Sequence, residues 1–259
     1  MAETNSFRQS PRSADRADRG SPRRGLSFAT VVGMAAVVLL LVFPSTSATY
    51  RIEVTPPYEG VVAQVSSSTY TTGCHSSARF IVPTFASNRS GRVGSEERTV
   101  ASTCSGEPYP QSATTANAIV LQGPDFTVPV SGEYNVAFVW RFSFELSLSV
   151  RGNASNFVYG VIETYDLIYV PSNQSYFNVD SHAALYHEIH LGAYQNKTQN
   201  TTDVFEARLS LQGGLVYQFQ TVLVCGTDSI LMGPGDAVAE LNFASDGNGG
   251  QLRSMSVFN

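Results

Sequence analysis

The sequence predicts an all-β fold: an antiparallel sandwich, jelly-roll or immunoglobulin-like, behind one N-terminal transmembrane or signal helix. Three observations predict it. Beyond residue 49, apolar and polar residues alternate with period two. Turn-forming clusters separate the alternating stretches. A single uncharged apolar run, residues 26–43, stands apart from everything else. Alternation with period two places one face of a strand in a core and the other in water.

Residues 1–25 come first. They hold Arg8, Arg12, Arg16, Arg19, Arg23 and Arg24 against Glu3, Asp15 and Asp18, a balance of +3, with almost no apolar anchor. Such a segment cannot offset the entropy of ordering and is expected to be a disordered, cytoplasmic basic tail.

Residues 26–43 follow, LSFATVVGMAAVVLLLVF, 18 residues without a charge. As a helix they span roughly 27 Å, close to the hydrocarbon thickness of a bilayer. Arg23 and Arg24 directly before them keep the N-terminus inside and send the body out. Two fates are open. The run exceeds the usual apolar length of a signal peptide, which favours a retained anchor. Pro44 and the small residues STSA (45–48) would equally suit signal cleavage. The expected location is the cell membrane with the body outside, or the secreted state.

Residues 49–259 are the expected exported domain. Only 14% of the whole chain is charged and 42% is hydrophobic, a composition with enough apolar matter for a large core. This part carries 10 basic and 18 acidic residues, a balance of −8 that brings the chain to −5. An acidic body without clustered Lys and Arg excludes nucleic acid as the expected partner.

The clearest strand lies in residues 134–150. Tyr134, Val136, Phe138, Trp140, Phe142, Phe144, Leu146, Leu148 and Val150 fall on one face. Seventeen residues would extend ~58 Å, far beyond an ordinary strand. A bend or bulge near residues 141–143 is therefore expected, or service to two sheets in succession. DVFEARLSLQ (203–212) alternates likewise, while GVIETYDLIYV (160–170) is strand-like with ambiguous faces. QNKTQNTTD (195–203) reads as a polar loop.

Three cysteines occur. Cys74 and Cys104 lie in Ser/Thr/Gly-rich segments that could use a staple and are expected to be joined, for about 3–4 kcal/mol on the chain-entropy view. Cys225 is in phase with Leu215, Tyr217, Phe219 and Leu223 and reads as a buried free thiol. The order Cys104, Trp140, Cys225 imitates an immunoglobulin domain, at spacings too long to identify one. Sequons stand at Asn88, Asn153, Asn173, Asn196 and Asn200 and agree with export.

The chemistry-bearing motif is HAALYHEIH (182–190). The zinc-protease pattern would need a second histidine at 191, where Leu191 stands. As a strand the segment places His182, Tyr186, Glu188 and His190 on one face and His187 on the other. As a helix it would bring His187 and His190 one turn apart. SDGNGG (245–250) spaces Asp246 and Asn248 like calcium ligands, but Val257 stands where an EF-hand needs Glu. No nucleophile elbow or P-loop is present. The expected role is thus non-catalytic: adhesion, envelope structure, or binding of a glycan or surface protein, with no cofactor. The alternative is an exported metal-dependent hydrolase using His187, Glu188 and His190. Sugar binding would want exposed aromatics, and Tyr58, Tyr70, Tyr109, Tyr176 and Tyr194 lie in polar segments; Trp140 is expected in the core.

Overall fold

The computed structural model describes residues 49–57, 62–87, 89–190, 194–245 and 247–259. The basic tail 1–25, the apolar run 26–43, Tyr58, Asn88 and Asp246 lie outside the described residues. Among the described residues no helix is long and apolar enough to cross a membrane.

Residues 49–259 form one compact unit, with twelve strands among the described residues. In chain order these are β1 (Arg51–Val54), β2 (Val62–Thr72), β3 (Ser77–Ser87), β4 (Arg92–Ser102), β5 (Gln111–Thr127) and β6 (Gly132–Gly152). Then come β7 (Phe157–Val170), β8 (Ser175–His190), β9 (Tyr194–Leu211), β10 (Val216–Leu231), β11 (Gly235–Asn242) and β12 (Gly249–Phe258). They build two antiparallel sheets packed as a sandwich. One sheet has seven strands in the order β1-β12-β4-β11-β6-β9, with β3 on β4; the other has five, β2-β5-β10-β7-β8.

Eight strands pair as nested couples. β7 pairs with β8, β6 with β9, β5 with β10, and β4 with β11. Alternate couples fall in opposite sheets, so the nest is rolled up rather than laid flat.

The long alternating stretch is β6. Its register against β9 runs unbroken from Gly132↔Leu211 to Ser149↔Tyr194, so the bulge expected at residues 141–143 is absent. Its other edge changes partner there instead, from β12, ending at Ser143↔Gly249, to β11, beginning at Asn242↔Glu145. The strand serves two neighbours in one sheet. The bulge belongs to β12, between Leu252 and Ser254.

QNKTQNTTD is a strand as well, not a loop. It forms the first half of β9, an edge strand with polar residues on both faces. A polar edge blunts unwanted strand addition, which explains why its composition resembles a loop.

The inward residues of β6, from Tyr134 through Trp140 to Val150, are all buried. They meet Phe126, Tyr217, Phe219 and Leu223 of the opposite sheet, with Phe138 edge-on to Phe219 at 5.9 Å. Gly160 of β7 lets the sheets approach, because a Cβ there would sit 2.5 Å from Leu146 Cδ1.

One sector of the interior is polar. Ser95, Glu97 and Thr99 of β4 face Thr115 and Asn117 of β5 and Cys225, Thr227 and Ser229 of β10, all buried. Glu97 Oε2 accepts from Asn117 Nδ2 at 3.0 Å while Oε1 has no partner. Burial pushes the Glu97 carboxyl up to about 7, against the hydrogen bonds of Thr115 and Asn117. Thr99 bonds Ser229 (2.8 Å) and Thr115 bonds Thr227 (2.9 Å), so hydroxyls satisfy one another across the layer.

Candidate binding face

The outer face of the five-stranded sheet carries the candidate site. Strand register lines up Tyr70, Thr114, Asp228, Tyr159 and Glu188, one residue from each of β2, β5, β10, β7 and β8. The next row is Ser68, Ala116, Gly226, Val161 and Tyr186. Small residues on β2, β5 and β10 thus floor a trough between Tyr70 on one side and Tyr159 and Tyr186 on the other. Adjacent strands are about 4.8 Å apart, which sets Tyr70 and Tyr159 roughly 14 Å apart at the backbone.

Three tyrosines on the β7–β8 side are tied to carboxylates, while Tyr169 and Tyr176 stack on each other at 4.8 Å. Tyr159 donates to Asp228 Oδ2 at 2.5 Å, Tyr165 to Glu163 Oε2 at 2.7 Å, and Tyr186 to Glu188 Oε2 at 2.8 Å. Burial first, and then the Asp228 carboxylate, pushes the Tyr159 phenol up. The hydrogen bonds to Glu163 and Glu188 raise Tyr165 and Tyr186. Asp228 also accepts from Thr114, and Glu188 Oε1 pairs with His190 Nε2 at 2.8 Å. The rings of Tyr159 and Tyr186 stack at 6.1 Å. Beside them Glu163, Tyr165, Ser181, His182 and Ala183 line a recess of about 230 Å³. The face therefore presents aromatic surfaces whose hydroxyls are already committed, and carboxylates with lone pairs to spare.

No protein-family model and no curated protein matches the chain. Solved structures to which it is similar include the enzymatically active domain of tailspike protein 4 of bacteriophage CBA120, at 10% identity and a TM-score of 0.17 over 70% of this chain and 19% of that one. Another is isomalto-dextranase of Arthrobacter globiformis T6 complexed with panose, at 10% identity and a TM-score of 0.20, covering 81% and 34%. A third is a carbohydrate-binding module of family 29, at 8% identity and a TM-score of 0.17, covering 61% and 90%. The chain spans about a fifth of the first of these structures and a third of the second. Likeness at this level carries no functional inference.

The histidine motif is the β8 strand, not a helix. Glu188 and His190 share the outer face with Tyr186. His187 points to the other side and meets Gln195 Oε1 at 2.5 Å, so His187, Glu188 and His190 do not converge. His182 departs from the expected face. Ala184 is an extra residue in the ladder, between Leu185↔Ile162 and Ala183↔Glu163, and it reverses the alternation. His182 consequently leaves the face of Tyr186 and Glu188, and its ring, still exposed, packs 5.0 Å from the Phe205 ring of β9. Among the described residues the cluster with metal-ligand spacing is Cys74, His75 and Cys104, and both of its cysteines are in a disulfide.

Cys74 and Cys104 are bonded, with Cα atoms 6.0 Å apart, and Cys225 is a buried free thiol. Cys104 is thus unavailable to Cys225, and the Cys104–Trp140–Cys225 imitation of an immunoglobulin pin dissolves. Trp140 is fully buried. Of the tyrosines marked in the sequence, Tyr70 and Tyr176 stand on the outer face of the five-stranded sheet, Tyr109 in the β4–β5 connection and Tyr194 on β9, all exposed. Tyr159 and Tyr165 are the residues the sequence reading missed, and Tyr186 was placed on the face of Glu188 and His190 without being counted among the stacking tyrosines. A signal existed: Glu163-x-Tyr165 and Tyr186-x-Glu188 place an aromatic and a carboxylate on one strand face.

Asn153 and Asn173 lie in turns, and Asn173 Oδ1 accepts from Ser175 N and Oγ. Asn196 and Asn200 lie on β9, accepting from Ser147 Oγ at 2.5 Å and Arg141 Nε at 3.2 Å. Asn196 also lines a recess of about 200 Å³ with Glu96, Glu145 and Glu240.

Proposed function

We propose that residues 49–259 are an exported, non-catalytic glycan-binding module, anchored by residues 26–43 and holding a neutral oligosaccharide across the trough of the five-stranded sheet. The observation that carries this is the set of three tyrosine–carboxylate pairs on one face, opposite Tyr70. Sugar rings need flat aromatic surface for their C–H faces and fixed acceptors for their hydroxyls, and this face supplies both at low entropic cost. Its carboxylates favour a neutral polyhydroxyl ligand over an anionic one. The nested strand couples support reading the sandwich as a jelly roll, an architecture that leaves such a sheet face open. Export rests on the apolar run, its arginine flank and the sequons.

The test is a screen of neutral oligosaccharides against the full chain in detergent, followed by calorimetry on the best ligand. Tyr70→Ala and Tyr186→Ala are expected to weaken binding at least tenfold each without shifting Tm. Binding indifferent to both substitutions, or a protein ligand in place of any glycan, would sink the reading.

A further inference from the structure

A second site lies on the outer face of the other sheet. Register places Arg92 of β4 and Arg141 of β6 on either side of Gln251 of β12, all three on one row. The turn entering β12 closes one end of this row, and Arg92, Arg141, Ser143, Asn248 and the flanking glycines line a cavity of about 70 Å³. That is room for about two waters or one small oxyanion.

The donors there are in excess. Arg92 Nη2 spends one N–H on the Asn248 carbonyl (3.1 Å), and Arg141 Nε spends one on Asn200 Oδ1 (3.2 Å). A guanidinium carries five, and among the described residues neither arginine has a carboxylate partner. Asn248 is 5% exposed, and its Oδ1 is taken by the Ser143 hydroxyl at 2.9 Å. Its Nδ2 is buried without an acceptor. Gly249, at φ +132°, lets the turn press against β4, where a Cβ would meet Val93 O at 2.9 Å. A buried amide N–H without an acceptor is costly, and two arginines facing one cavity repel. One anion relieves both. On this face the nearest carboxylates in the same strands, Glu96 and Glu145, are four residues from Arg92 and Arg141. That is about 13 Å along a strand, beyond the screening length at physiological salt.

We infer that the Arg92–Arg141 cavity is an oxyanion site, taking a sulfate or phosphate group either free or pendant on a polysaccharide. It is independent of the aromatic trough. The probe is sodium sulfate titrated into the full chain in detergent, against sodium chloride of matched ionic strength. Saturable one-to-one binding is expected, with at least tenfold weaker affinity in Arg141→Gln and in Arg92→Lys. Arg141 is exposed, and among the described residues its side chain hydrogen-bonds Asn200, an exposed partner, so Arg141→Gln should keep the wild-type Tm and isolates the site. A sulfated polysaccharide and its desulfated counterpart separate the sources: competition by the sulfated chain at lower sulfate equivalents marks the pendant group. Equal responses to sulfate and chloride, or wild-type affinity in both variants, would overturn the site.

Discussion

Trp140 donates its indole N–H to Asp166 Oδ1 at 3.2 Å, across the interior from β6 of one sheet to β7 of the other. Both residues are fully buried and Asp166 Oδ2 has no partner. Burial pushes the Asp166 carboxyl up to about 7, with Thr221 and Trp140 opposing the rise. Trp140→Phe removes the donor and opens a cavity together, for an expected loss of roughly 2–4 kcal/mol by denaturant unfolding. Asp166→Asn keeps the shape and removes the ionisation, so it is expected to be close to neutral below about pH 4 and increasingly stabilising as pH rises to 8.

Glu97 and Asp166 together set the pH response. In the folded protein each holds its proton to about pH 7, whereas unfolded Glu and Asp release it near 4.5 and 3.8. Between those values unfolding releases protons, so stability falls as pH rises through the window and is greatest below it. At about 1.4 kcal/mol per unit of separation, Glu97 withdraws roughly 3 kcal/mol and Asp166 roughly 4 kcal/mol by pH 8. Tm measured from pH 4.5 to 8 should decline, and Glu97→Gln should flatten the decline. A Tm that climbs over this range contradicts the assignment.

The disulfide and the third cysteine should behave as opposites. Reduction, or Cys74→Ala with Cys104→Ala, is expected to cost about 3–4 kcal/mol by releasing a closed loop in the unfolded chain. Cys225 is fully buried, with its thiol pushed up to about 12 by burial and by Glu97. Iodoacetamide should therefore leave Cys225 unmodified in the native protein and label it in denaturant. Rapid labelling of the folded chain would show that the polar sector opens.

Glycosylation, in a host that performs it on exported chains, is expected to be uneven. Asn173 is exposed in the β7–β8 turn, with its Oδ1 held by Ser175 and its amide nitrogen directed away from that contact. Asn153 is exposed too, but its Nδ2 lies close against Gly233, where an added Cβ would be 2.5 Å away. Glycopeptide mapping should find higher occupancy at Asn173 than at Asn153; the reverse order would mean that the 153–156 turn rearranges.

What could be read from the sequence depended on how differently the two faces of each strand were furnished. β6 was legible residue by residue because Trp140 and its neighbours are buried while Arg141, Ser143 and Glu145 are not. β9 was misread where both faces are polar, because an edge strand there needs no apolar side. β7 was ambiguous for the reason that makes it interesting. Its outward Tyr159, Val161, Tyr165 and Tyr169 are as hydrophobic as its inward Val158, Ile162 and Ile168, so alternation vanished and the candidate face went unseen. The bulge at Ala184 moved His182 without any local sequence mark. Glu97 was invisible because RVGSEERTVAS gives no sign that its central glutamate is the buried one.

The nested couples also bear on how the chain finds its shape. Ser102 and Asp236 are paired although 134 residues separate them, a contact that a freely coiled chain would be slow to make. Yet once β5 has met β10, only the short connections 103–110 and 232–234 remain to be closed. Each couple in turn delivers the next, beginning with the hairpin whose turn is Pro171 to Gln174. The expensive search is thereby divided into a succession of small closures, each costing little more than a short loop. Within the nest the β7–β8 hairpin is the most local closure, and β3 with β4 is a second pairing of chain neighbours outside it.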